Sequence, residues 1–190
     1  LSSSRWPLAT LALAALIVII AFVAPYSSTA FDALVLDRAS VKPWALLSAH
    51  VVHTDWSHAG WNVFALACLG VLAEPVDRTR FVVSLAVGVA AVDVWFVGFD
   101  ESLQFYCGLS GALNTVLLAA LYALRDAIAT PWLLAVAAIS AAKVGWEWHT
   151  GVALVTHTRW PSAIGAHVAG FAAGIVLDGV YAWRDRARRV

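Results

Sequence analysis

Charge is scarce in this chain of 190 residues: only 13% are Asp, Glu, Lys or Arg. That is about half the share of an ordinary soluble domain. The 12 basic and 12 acidic residues cancel, which excludes a nucleic-acid binder relying on a basic surface. Two cysteines, Cys68 and Cys107, are too few for a disulfide framework or a thiolate metal site. Methionine is absent, so no initiator marks where translation begins. Low-complexity tracts, internal repeats and a soluble domain are also missing. What is present is apolar: 62% of the residues are hydrophobic and the mean hydropathy is +0.80. A soluble protein this small cannot bury so much apolar surface, because its surface-to-volume ratio is too high. The composition specifies an integral membrane protein with little mass outside the bilayer.

A membrane-crossing helix needs about 20 mainly apolar residues, with roughly 17 to 25 tolerated. Six stretches qualify: Leu8–Ala24, Ser57–Ala73, Phe81–Phe99, Phe105–Leu124, Pro131–Trp148 and Ala163–Trp183. The expected fold is an all-α, six-span bundle forming a single domain over residues 1–190. The first stretch exceeds a typical signal-peptide core and has no cleavage pattern after it, so it reads as a retained anchor. Basic residues set the orientation. One side carries Arg5, Arg78, Arg80, Arg125, Arg184, Arg186, Arg188 and Arg189; the other carries Arg38, Lys42 and Arg159. Both termini are therefore expected in the cytoplasm. Trp6, Trp132 and Trp183 then fall at the inner interface, and Trp44, Trp56, Trp146, Trp148 and Trp160 at or near the outer one, as an aromatic belt. The outer loop, residues 25–56, holds apolar stretches broken by Asp37, Arg38 and Lys42. It reads equally as an interfacial segment or a folded cap.

Polar groups inside a membrane are costly and often functional. Here they share one layer. Spans two, four and six all enter from the outer side, with His58, Ser110 and His167 near their outer ends and Asn62 one turn below His58. Gly170 and Gly174 share the His167 face, forming a small-residue contact strip, while Gly108 and Gly111 flank the serine. Helices with such faces can approach closely enough for a Ser–His hydrogen bond.

The motifs carrying these residues resemble those of rhomboid-family intramembrane serine proteases. His53-Thr-Asp-Trp-Ser-His58-Ala-Gly-Trp-Asn62 matches the family's H-x4-H-x3-N pattern, with Glu74 at the inner end of that helix. Gly108-Leu-Ser110-Gly111 matches G-x-S-G, and Ala166-His167-Val-Ala-Gly170 with Gly174 matches the final-helix histidine motif. Two positions depart from the family pattern. Trp44 is followed by Ala45 instead of arginine, and Asn114 stands where many members have a tyrosine packed on the histidine. The six-span size and the stretch from Lys143 to Gly151 are most similar to the rhombosortase branch. That branch implies single-span membrane substrates with a C-terminal Gly-Gly sorting tail in the bacterial envelope, with the active site facing the periplasm.

The resemblance implies a serine endopeptidase acting through an acyl-enzyme. Ser110 is the expected nucleophile and His167 the general base. His58, Asn62 and the Ser110 N–H are the expected oxyanion donors. Asp178 shares the His167 face but lies roughly 16 Å deeper at 1.5 Å per residue, so a dyad without an orienting acid is expected. Lys143 and Glu147, four apart in span five, read as a structural ion pair. Asp93 has no evident partner. His50 and His53 are assigned to shaping the outer loop, His149 and His157 have no role, and Cys107 is a candidate for thiol reagents. No cofactor, metal or nucleic acid is implied; lipid is. Three other classes compete: a catalytically inactive client-binding relative, a haem or metal protein using His50, His58 and His167, and a small transporter.

Overall fold

The computed structural model describes residues 6–26, 28–155 and 160–188. His157 and three of the basic residues that set the orientation, Arg5, Arg159 and Arg189, lie outside them. The described chain is mainly helical: α1 (Leu8–Val23), α2 (Thr29–Leu34), α3 (Ala45–Ser48), α4 (Trp56–Ala73), α5 (Arg78–Gly98), α6 (Ser110–Ala123), α7 (Thr130–Thr150) and α8 (Ile164–Ala187). A two-stranded antiparallel ribbon joins β1 (Leu36–Asp37) to β2 (Phe105–Tyr106), pairing Leu36 with Tyr106 and Asp37 with Phe105.

By length and composition, α4, α5 and α8 can each cross a membrane. Helices α1 and α6 are apolar but shorter, and α7 has the length but carries Lys143 and Glu147. Local chemistry sets where the helices begin. Asp55 caps α4 by accepting from the His58 N–H at 2.8 Å, and Asp77 caps α5 through the Arg80 N–H at 2.9 Å. Pro131 lies in the first turn of α7, where its missing N–H costs nothing.

Helix α6 is the central post. It packs against α8, α5, α4 and α7, and buries Gly111, Ala112, Leu113, Thr115, Val116, Leu118, Ala119 and Ala120. At 14 residues it spans only about 21 Å, short of the hydrocarbon thickness. The expected start of this span at Phe105 is corrected: residues 105–109 are not helical. Gly108, at φ +109°, holds a backbone conformation a helix cannot continue through. Its neighbours satisfy their backbone groups elsewhere, through β1 and through the Gly108 N–H, which donates to the Ala49 carbonyl at 2.8 Å. Irregular backbone is tolerable at membrane depth only when protein covers it in this way. The late start of α6 sets Ser110 below the outer loops.

The outer loop is folded over this region. Phe31, Val35 and Val52 form one apolar cluster with Tyr26 and Trp160 at its edge; Leu36, Ala45 and Ala49 form another with Val92, Phe96, Tyr106 and Ala166. Arg38 donates to the Leu103 and Phe96 carbonyls, tying the loop to the end of α5. On the opposite side, Glu74 is buried and accepts from the Ala9 and Thr10 N–H groups at 2.9 Å each and from the Thr10 hydroxyl at 2.8 Å. It thus docks the first turn of α1. Arg80 stacks between the Tyr122 and Tyr181 rings and clamps the inner ends of α5, α6 and α8.

Candidate active site

Ser110 is the first residue of α6, and His167 lies in the first turn of α8. The two helices cross on glycine. A Cβ on Gly170 would fall onto the Gly111 carbonyl, one on Gly111 would meet Val92 and the Ala166 carbonyl, and one on Gly174 would meet Leu118. The Thr115 hydroxyl adds a hydrogen bond to the Gly170 carbonyl at 2.6 Å. This close crossing brings Ser110 Oγ to 2.9 Å from His167 Nε2.

The other ring nitrogen corrects an expectation. His167 Nδ1 is 2.9 Å from Glu147 Oε2, so an acid does stand behind the histidine. The expected Lys143–Glu147 ion pair is present, with Lys143 Nζ 2.8 Å from Oε1. It is one part of a larger arrangement. Local spacing explains the ion pair completely and so gives no reason to seek a second partner for Glu147. The sequence signal for the second contact is depth: Glu147 falls near the outer end of the expected fifth span, in the same expected layer as His167.

The expected oxyanion donors divide between two hollows that meet at Ser110 and His167. A small one of about 30 Å3 is lined by Thr54, His58, Tyr106, Cys107, Ser110 and His167, among others, and has room for water. The His58 ring is edged by Gly108, where a Cβ would sit 2.7 Å from Nε2, and packs against the His53 ring at 4.8 Å. A larger, mainly apolar cavity of about 350 Å3 runs past Asn62, Ala65, Leu69, Leu113 and Leu117 to Ser110, His167 and Glu147. Asn62 donates one amide hydrogen to the His58 carbonyl at 2.9 Å, which leaves its second N–H for a ligand. The Ser110 N–H is one of the N-terminal donors that an α-helix leaves without an internal acceptor. Asn114 turns back to donate to the Ser110 carbonyl at 2.9 Å and does not hold the histidine.

The neighbouring groups are also located. Asp93 has a partner, His50 Nε2 at 3.1 Å. Burial, reinforced by the adjacent His58, lowers the pKa of His53 from 6.5 to about 3, so it is neutral. Cys107 is half-buried and lines the small hollow beside Ser110. Both cysteines are free. Both ring nitrogens of His167 are thus engaged, Nε2 with Ser110 and Nδ1 with Glu147. Among the described residues no cluster of three His, Cys, Asp or Glu has metal-binding geometry.

A serine hydroxyl hydrogen-bonded to a histidine between apolar helices is the pairing that nucleophilic acyl transfer requires. The Rhomboid domain profile matches residues 40–184, well over half of the chain, so the protein belongs to the rhomboid family of intramembrane serine proteases. No curated protein matches the chain.

Proposed function

We propose that the protein is an active intramembrane serine endopeptidase, with Ser110 as nucleophile and His167 as general base. The observation that carries this reading is the 2.9 Å contact between Ser110 Oγ and His167 Nε2 at the start of α6. An unassisted serine is a weak nucleophile; a base within hydrogen-bond reach removes that barrier. As Oγ attacks the scissile carbonyl carbon, its proton passes to Nε2. The tetrahedral oxyanion meets the Ser110 N–H, His58 and the second amide hydrogen of Asn62. Collapse breaks the C–N bond, and His167 returns the proton to the leaving amine. Water from the small hollow then loses a proton to His167 and attacks the acyl-enzyme, releasing the carboxylic acid and Ser110.

The larger cavity suits an extended apolar segment, consistent with a substrate helix that unwinds near the outer membrane face. The finer assignment is a rhombosortase that processes single-span proteins with a C-terminal Gly-Gly tail. The stretch from Lys143 to Gly151 and the six-span size support it. With the six apolar stretches read as crossings of a bacterial inner membrane, the basic-residue asymmetry supports an orientation with both termini cytoplasmic and the site toward the periplasm. Two experiments test the proposal. A fluorophosphonate should label the folded protein at Ser110 and leave Ser110→Ala unlabelled. Co-expression with a Gly-Gly-tailed substrate should give processing by the parent and none by Ser110→Ala. Equal processing by both removes Ser110 as the nucleophile.

A further inference from the structure

Glu147 is held more completely than an ion pair with Lys143 requires. The side chain is 1% exposed, and both oxygens are engaged. Oε1 accepts from the Leu154 N–H at 2.9 Å and faces Lys143 Nζ at 2.8 Å. Oε2 faces Lys143 Nζ and His167 Nδ1, each at 2.9 Å. The backbone is built around this. Gly151, at φ +69°, ends α7 in a left-handed turn, and the chain doubles back so that Leu154 reaches the carboxylate. An exposed i,i+4 pair needs none of these contacts, whereas a buried carboxylate is retained only where several donors satisfy it.

A carboxylate has no proton to donate when ionised, so His167 Nδ1 must carry the hydrogen of this contact. Nδ1–H leaves the lone pair on Nε2, the atom facing Ser110 Oγ. That is the tautomer a general base requires. We infer that Glu147 is a positioning residue for the reaction proposed above: it fixes the tautomer and ring plane of His167 and stabilises the imidazolium formed when Ser110 gives up its proton. Lys143 and the Leu154 N–H keep the carboxylate ionised and aimed. The inference rests on the protease reading. It adds an orienting acid from α7 where a histidine–serine pair alone was expected, and it supplies the support that Asn114 does not give.

The test follows inactivation by a fluorophosphonate in full-length protein, separating the maximal rate (kinact) from the binding constant (KI). In soluble serine proteases, exchange of the orienting acid for its amide lowers kcat by about 10⁴ through the wrong tautomer. Glu147→Gln should lower kinact by about 10²–10⁴-fold with KI nearly unchanged. Glu147→Asp, which keeps the charge, should recover part of the loss. Lys143→Met should lose less than about tenfold, since the acid and the histidine remain. Near-parental labelling of Glu147→Gln would overturn the inference, as would equal losses in Lys143→Met and Glu147→Gln. Nitrogen NMR of His167 in the parent needs no variant to fold: Nδ1–H is expected, and the Nε2–H tautomer would refute the assignment. A folded parent that the probe does not label would instead sink the protease reading and with it the catalytic role of Glu147, while the NMR result would still decide whether the carboxylate sets the His167 tautomer.

Discussion

The crossing of α6 and α8 makes the serine–histidine contact depend on a residue that touches neither reactant. Gly170 lies one turn below His167, and Gly111 follows Ser110. A methyl group at Gly170 would land on the Gly111 carbonyl, well inside van der Waals contact. Carbon and oxygen at that point need a separation of roughly 3.0–3.5 Å, so the helices must part there by about 1 Å or more. Passed one turn up the helices, that shift takes the Ser110–His167 distance from 2.9 Å to about 3.9 Å, beyond hydrogen-bond range. Gly170→Ala should therefore lower the fluorophosphonate labelling rate by about 10²–10⁴-fold, the contribution of a positioned general base. It should also lose about 1–3 kcal/mol of stability to overpacking. Gly179→Ala is the matched control, because a Cβ at that position on the same helix meets nothing. It should label like the parent and gain up to about 1 kcal/mol from helix propensity. Labelling rates in detergent, with thermal midpoints measured in parallel, separate the two effects. Near-parental labelling and an unchanged midpoint in Gly170→Ala would refute the close-crossing argument.

Two further predictions concern stability. The ordinary His53 pKa of 6.5 falls to about 3 on folding, so between these values the unfolded chain binds a proton that the native state does not. Stability should then fall on acidification by about 1.4 kcal/mol per pH unit, or about 2 kcal/mol between pH 6.5 and pH 5. His53→Asn should flatten that part of the melting-temperature profile, and identical slopes in the two proteins would remove His53 as the cause. Burial alone would raise the Glu74 carboxyl, but the Ala9 and Thr10 N–H groups, the Thr10 hydroxyl and Arg78 outweigh it and hold it below its ordinary value. The stability it contributes is present above the ordinary carboxylate pKa and is lost as pH falls through the lower folded value. Glu74→Ala should cost about 2–4 kcal/mol by leaving the first turn of α1 and Arg78 without their acceptor. Labelling per folded molecule should stay parental, and a midpoint unchanged from the parent would show that α1 docks by apolar packing alone.

The polar layer was legible in the sequence for a simple reason. Apolar runs report depth, and His58, Asn62, Ser110 and His167 stand out as polar residues at one expected depth, near the same ends of the second, fourth and sixth apolar stretches. Depth does not say which residues touch. Phe105–Leu109 is apolar enough to extend a span, and hydropathy is blind to the positive φ of Gly108, which turns this segment into a ribbon and an irregular turn. Glu147 has a partner four residues away, so helical periodicity gives no reason to look for another; only the packing of α7 on α8 brings it to His167. Both misreadings have the same physical origin. Contacts between helices are decided by how closely backbones can approach and where they can reverse, and in this chain glycines control both. Gly111 and Gly170 bring α6 against α8; Gly108 ends the irregular turn before Ser110 and edges His58; Gly151 reverses the chain so that the Leu154 N–H holds Glu147. Gly151 has nothing within 4 Å of its missing Cβ, so space alone does not require glycine there. Its left-handed φ does, because an L residue with a side chain is strained in that conformation by roughly 1–2 kcal/mol. The glycines near the polar layer therefore specify which of its members meet, and the hydrophobic pattern specifies only that they lie at one level.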